Sequence, residues 1–146
     1  MIQEIKLQNF KCFKDLNKFE FSRLNLLTGI NGRGKSTLLQ SILLLSQSAK
    51  NTNLITKLKL NGLLINLGNY NDIKNSETPR EEKIKVQMVF KDSISATLNF
   101  IENEKDEFSA ILEDSNFEVK EEYFDELDDV LKDFVGRVNS YMDEHV

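Results

Sequence analysis

The sequence predicts an α/β fold in which a strand runs into a glycine-rich loop and the loop opens a helix, and three observations carry that expectation. The stretch Gly29-Ile-Asn-Gly-Arg-Gly-Lys-Ser36 fits the pattern G-x-x-x-x-G-K-[ST] at every fixed position. Before it, residues 24–28 (Leu-Asn-Leu-Leu-Thr) form a short, mostly apolar run of strand length. After it, Leu38, Leu39, Ile42, Leu43 and Leu45 recur at helical spacing, so the helix they predict is buried nearly all round.

The chemistry of that pattern points to a phosphate ligand. A triphosphate needs several backbone N–H groups aimed at one point, and only glycine lets the chain wrap so closely with φ > 0. Gly29, Gly32 and Gly34 supply that freedom, and Asn31, Arg33 and Thr37 complete the loop around them. Lys35 would set a compact positive charge between the terminal phosphates, and Ser36 would offer its hydroxyl to Mg²⁺. The helix beginning there points its positive dipole end at the anion. A nucleotide with Mg²⁺ is the expected ligand, and the fold class is that of P-loop NTPases.

The elements follow in order. Ile2, Ile5 and Leu7 alternate with polar neighbours and predict a half-buried first strand leading to residues 9–14. Phe19 and Phe21 flank Glu20 in a second alternating strand, and the short connection through Asp15 and Asn17 pairs the two antiparallel. Residues 51–82 are rich in Asn, Thr and Ser, contain the lone proline Pro79, and read as a connector with one embedded strand over 63–67. Residues 84–90, 94–101 and 108–112 have strand composition at short spacing and read as an antiparallel meander. From 121 to 142, Tyr123, Leu127, Val130, Phe134, Val138 and Tyr141 follow at spacings of 4, 3, 4, 4 and 3 with acids between them, an amphipathic helix. The expected organisation is one compact domain in three parts: a P-loop core over 1–50, a connector and antiparallel β-subdomain over 51–116, and an acidic amphipathic helix over 117–146.

Two stretches resemble the ABC-type ATPases of the SMC, RecF and overcoming-lysogenization-defect (OLD) kind. Asn9-Phe-Lys-Cys-Phe13 resembles the Asn-Phe-Lys/Arg-x-Phe segment that opens those chains, and the glycine-rich loop is similar to their G-x-N-G-x-G-K-S. Leu60-Asn-Gly-Leu-Leu-Ile-Asn-Leu-Gly68 looks like a stretch of OLD-like ATPases of prokaryotic defence systems. The resemblance implies an ABC-type N-terminal lobe with a mixed sheet, and ATP as the nucleotide. It also implies that Asn9, Phe10 and Lys11 lie beside the adenine and ribose, although the two phenylalanines serve equally as core residues. It further implies ATP-dependent pairing with a second ATPase subunit, and DNA as a partner of many relatives.

Other parts of that machinery are not legible. No buried strand ends in the carboxylates that Mg²⁺ and the attacking water need. Residues 110–114 (Ala-Ile-Leu-Glu-Asp) have too short an apolar run, and Lys91 interrupts the approach to Asp92. No Ser-Gly-Gly signature occurs, Gln40 and Gln47 fall within the helix after the loop, and His145 sits one residue from the end. The chain thus reads as the front half of an ATPase, either a truncated product lacking its C-terminal half or a subunit completed by another chain. The alternative is a nucleotide-binding regulatory module that does not turn ATP over and acts through its acidic end.

Bulk properties fit a soluble domain, with 40% hydrophobic and 29% charged residues and a net charge of −5. The longest aliphatic run, 42–45, is far short of the roughly 20 residues that span a bilayer, and no secretory signal is visible. A lone cysteine, Cys12, fits a reducing cytoplasm. Charge is uneven: residues 1–100 hold 15 basic and 8 acidic side chains, and residues 101–146 hold 4 and 16. The basic residues are scattered and form no stripe with interleaved aromatics, the pattern expected of a nucleic-acid surface.

Overall fold

The computed structural model describes residues 2–49, 55–90 and 94–119. In chain order they form β1 (Ile2–Gln8), β2 (Asn17–Glu20), α1 (Lys35–Ala49), β3 (Lys57–Lys59), α2 (Tyr70–Ile73), β4 (Ile84–Phe90), β5 (Ile94–Glu102) and β6 (Ser109–Val119). The predicted amphipathic helix over 121–142, Asp92 and His145 lie outside the described residues.

The six strands make one sheet in the order β2-β1-β4-β5-β6-β3, and every neighbouring pair is antiparallel. This corrects the expectation of a mixed sheet. Strands with period-two patterning bury one face only, which suits antiparallel pairing. Ile5 and Leu7 of β1, Val86 and Met88 of β4, and Leu98 and Phe100 of β5 turn inward and are buried. The predicted hairpin is present as β1 and β2, with Ile5 opposite Phe19, and the predicted meander is β4-β5-β6. One sheet therefore draws strands from both the expected core and the expected β-subdomain. On the other face Lys18 bridges Glu4 and Glu20 at 2.8 and 2.7 Å. Near the end of β5 the register shifts: Asn99 faces Asp114 and Phe100 faces Leu112, leaving Glu113 as the extra residue of a bulge.

Helix α1 lies on the apolar face through Leu38, Leu44 and Leu45. It is not buried all round, because Leu39 and Leu43 are exposed. Residues 24–28 do not form the predicted strand. They belong to no ladder of the sheet, because no described strand lies alongside to accept their hydrogen bonds.

The connector is ordered by side chains rather than by a strand over 63–67. The Gln47 amide donates to Lys59 O and Ile65 O and accepts from Leu64 N and Ile65 N, tying residues 59–65 to the far end of α1. Asn61 closes the same loop, donating to Gly68 O and accepting from Leu67 N and Gly68 N. The short α2 starts in a capping box in which Asn69 accepts from Asn71 N and Asp72 N while Asp72 accepts from Asn69 N. Its first residue, Tyr70, donates its hydroxyl to Phe100 O at 3.2 Å, and burial pushes that phenol up to about 12.

Candidate functional site

The phosphate loop connects the unpaired segment 24–28 to the first turn of α1. Gly29, Gly32 and Gly34 have φ of 134°, 82° and 95°, conformations in which a residue with a Cβ is strained. Lys35 Nζ donates to Gly29 O at 2.6 Å and Ile30 O at 2.8 Å, which draws the ammonium over the hollow of the loop. Leu38 N donates to Gly34 O at 2.9 Å, so the helix's hydrogen-bond ladder begins inside the loop, and a helix leaves its first N–H groups without intrahelical partners. Asn31, Gly32, Arg33 and Ser36 are exposed, whereas Gly34 is buried and Lys35 and Thr37 are half-buried. No described atom lies within 4 Å of a Cβ built on Gly29 or Gly32, so the mouth of the loop is open.

The turn that follows β1 holds this loop from behind. Phe13 is buried with its ring against Gly34 and against Phe19, and Cys12 Sγ lies 3.5 Å from Thr37 Oγ1. The turn needs two residues other than glycine at positive φ, Asn9 at 59° and Lys11 at 49°. It is fixed from its other side by α2 and the loop after it: Lys11 N donates to Ile73 O, Asn75 N donates to Asn9 O, and the Asn75 amide donates to Lys11 O. Asn9 itself is buried, donating to Glu82 and to Lys83 O and accepting from Thr78.

The three residues expected beside the base therefore differ in what they can offer. Phe10 is 1% exposed and its ring is a core residue with no free face for a base, and Asn9 is 4% exposed with its amide engaged. Lys11 keeps a half-exposed side chain. Phe13, Cys12 and Asn75 support the site without having been singled out for it. Only the Phe-Lys-Cys-Phe spacing hinted at Phe13, and nothing local marks Asn75, which acts across the fold.

The acids at the end of the short 110–114 run are paired elsewhere. Lys83 binds Glu113 and, at 2.7 Å, Asp114, whose other oxygen accepts from Asn99. Burial pulls the Asp114 carboxyl upward, but Lys83 and Asn99 outweigh it and hold the group below its usual range. Among the described residues no three His, Cys, Asp or Glu side chains gather to hold a metal, and no helix is long and apolar enough to cross a membrane. The donor set at the loop nevertheless suits a nucleotide with its cation. It combines the N–H groups of the first helical turn, the Lys35 ammonium and the exposed Ser36 hydroxyl, where Mg²⁺ would be held.

A phosphate loop of this geometry on a helix N-terminus defines a P-loop nucleotide-binding protein. Residues 1–144 match the family model described as the AAA ATPase domain, and the chain belongs to that family. It is also similar to an ATP/GTP phosphatase of Helicobacter pylori (strain ATCC 700392 / 26695), 45% identical over 42 residues. That match covers 29% of this chain and 11% of the relative, so the chain spans a small part of the relative's length. No solved structure matches.

Proposed function

We propose that this chain binds ATP with Mg²⁺ as the N-terminal lobe of an OLD-, RecF- or SMC-like ATPase, and that hydrolysis draws on carboxylate and signature elements from polypeptide beyond it. The observation that carries this reading is the loop itself: three glycines at positive φ around an ammonium held by Gly29 O and Ile30 O. Gly29, Asn31, Gly32, Arg33, Gly34, Lys35, Ser36 and Thr37 would contact the phosphates and Mg²⁺, and Lys11 would reach the ribose or base. The bound Mg²⁺ supplies charge neutralisation of the terminal phosphates. The unpaired segment 24–28 supports the need for a second contributor, because a strand apolar on both faces is stable only inside a sheet.

Calorimetry with MgATP tests the reading directly. Binding is expected, and Lys35→Ala should weaken it by about 2–4 kcal/mol, the scale of removing one partner from a desolvated charge contact. Absence of binding, or binding indifferent to Lys35→Ala, overturns it.

A second reading, a nucleotide-binding regulatory module that does not turn ATP over, is favoured by the engagement of Glu113 and Asp114 with Lys83. Steady hydrolysis by the purified chain, abolished by Lys35→Ala, would contradict it. Duplex DNA is the further partner implied by the resemblance, and failure to bind at ~50 mM salt, where phosphate contacts are strong, would remove it.

A further inference from the structure

The chain contains two Asn-Gly pairs, Asn31-Gly32 in the phosphate loop and Asn61-Gly62 in the connector, and the fold treats them oppositely. Asparagine before glycine is open to self-attack, because a residue with no Cβ leaves its backbone nitrogen free to reach the side-chain amide that precedes it. At the second pair both reacting groups are engaged. The Asn61 amide donates to Gly68 O and accepts from Leu67 N and Gly68 N, each at 3.0 Å. Gly62 N donates to Ile65 O at 2.9 Å and to Asn66 Oδ1 at 3.1 Å, and a Cβ built on Gly62 would meet Gln47 Oε1 at 2.7 Å. At the first pair neither the Asn31 amide nor Gly32 N has a partner among the described residues. Asn31 and Gly32 are both exposed, and no described atom lies within 4 Å of a Cβ built on Gly32, so the pair stands open to water.

We infer that Asn31-Gly32 is a site of spontaneous deamidation, through which an empty phosphate loop ages. Gly32 N attacks Cγ of Asn31, the new N–Cγ bond forms as the Cγ–Nδ2 bond breaks, and the proton of the Gly32 amide leaves with the amino group as ammonia. Water then opens the cyclic imide at either carbonyl and gives aspartate or isoaspartate at position 31. No oxidant or reductant takes part. Both products damage an anion site. Each adds a carboxylate one residue after the Ile30 carbonyl that holds the Lys35 ammonium, where like charge opposes the phosphates. Isoaspartate also carries the main chain through the side chain, which lengthens the loop by a methylene and shifts Gly32 and the residues after it. A phosphate bound in the loop would occupy the Gly32 N–H and exclude water, so a filled loop is preserved and an empty one is lost. That protection rests on the nucleotide reading above, and the chemistry at Asn31 does not.

The test ages the folded full chain in warm, mildly alkaline buffer without nucleotide. Digestion and mass spectrometry read the replacement of NH2 by OH in each Asn-Gly peptide, and fragmentation separates aspartate from isoaspartate. Conversion at Asn31 should run roughly tenfold or more ahead of Asn61, which reacts only in the fraction of molecules that open locally. In urea, where both pairs are released, the two rates should converge. Equal rates in the folded chain, or an Asn31 that converts only after unfolding, overturns the inference. Gly32→Ala crowds the attacking nitrogen and should slow conversion at position 31 while leaving Asn61 as it was; an unchanged rate at position 31 overturns the route through Gly32. Asn31→Asp, which reproduces one product, should bind MgATP about tenfold or more weakly, and affinity equal to the parent's overturns the claim that conversion disables the loop. Adding MgATP to the ageing parent separates the two ideas. Conversion at Asn31 that is as fast with MgATP as without it strikes the reading of the loop and leaves the deamidation site standing.

Discussion

A Cβ placed on Gly34 would lie 2.6 Å from both Cε1 and Cζ of Phe13, nearer than any side chain can approach an aromatic ring held in the core. Gly34 also stands at φ 95°, where an L-residue is strained by roughly 1–2 kcal/mol. Gly34→Ala should therefore displace the loop from the turn behind it and cost about tenfold or more in MgATP affinity, with the sheet intact by circular dichroism. Adding Phe13→Ala should relieve the contact but not the backbone strain, so affinity should recover in part at most. Calorimetry on the single and double variants checks both statements.

Removing the Gln47 amide takes a partner from Lys59 O, Leu64 N and Ile65 N, while Ile65 O still accepts from Gly62 N. An unsatisfied buried group costs about 1–3 kcal/mol, and the loop can rehydrate some of these, so Gln47→Leu should lower unfolding free energy by about 3 kcal/mol. Urea unfolding measures the loss. A variant as stable as the parent would mean that residues 59–65 hold their shape without the clamp.

Cys12 offers a native report on the phosphate site, because its thiol is exposed and contacts Thr37 directly behind the loop. MgATP should slow its alkylation, and Lys35→Ala should abolish that protection. Mass spectrometry after timed iodoacetamide treatment gives the rate.

Glu4 links stability to pH. The hydrogen bond from Lys18, aided by Lys6 and opposed by burial, holds its carboxyl below the usual 4.5. A carboxylate with a lowered folded value stabilises the protein above its unfolded value, and the contribution disappears as pH falls through the folded one. Glu4→Gln should thus be less stable than the parent at neutral pH, and the difference should close as pH drops below 4.5. Urea midpoints across the acid range decide it.

What the sequence disclosed followed the range of the forces involved. The glycine loop was legible because its chemistry is local, with each residue type answering to phosphate geometry. The hairpin and meander were legible because alternation reports which face of a strand is buried. Residues 24–28 have the composition of a strand, yet a strand exists only beside a partner, and composition does not name one. Leu63 to Leu67 misled in the same way: the run is apolar, but Gln47 and Asn61 shape it from a distance into a loop that leaves Leu63 at the surface. The signal for α2 was present in Asn69 and Asp72, three apart as a capping box requires, but four residues carry no periodicity to draw attention to it. Phe10 went to the core because β4 and the loop after α2 close over the turn, contacts made between residues far apart in the chain.

The strand order also sets a timetable for folding. β4, β5 and β6 are joined by short connections and can zip together locally, whereas β1 must wait for β4, with the phosphate loop and both helices lying between them in sequence. The turn that braces Gly34 is anchored on one side by β1 and on the other by residues 73–75, so it cannot set until that long-range pairing has closed. A nascent or damaged chain with a partial sheet would carry the whole glycine motif and still lack its brace, so nucleotide affinity would arise late and serve as a check that the fold is complete.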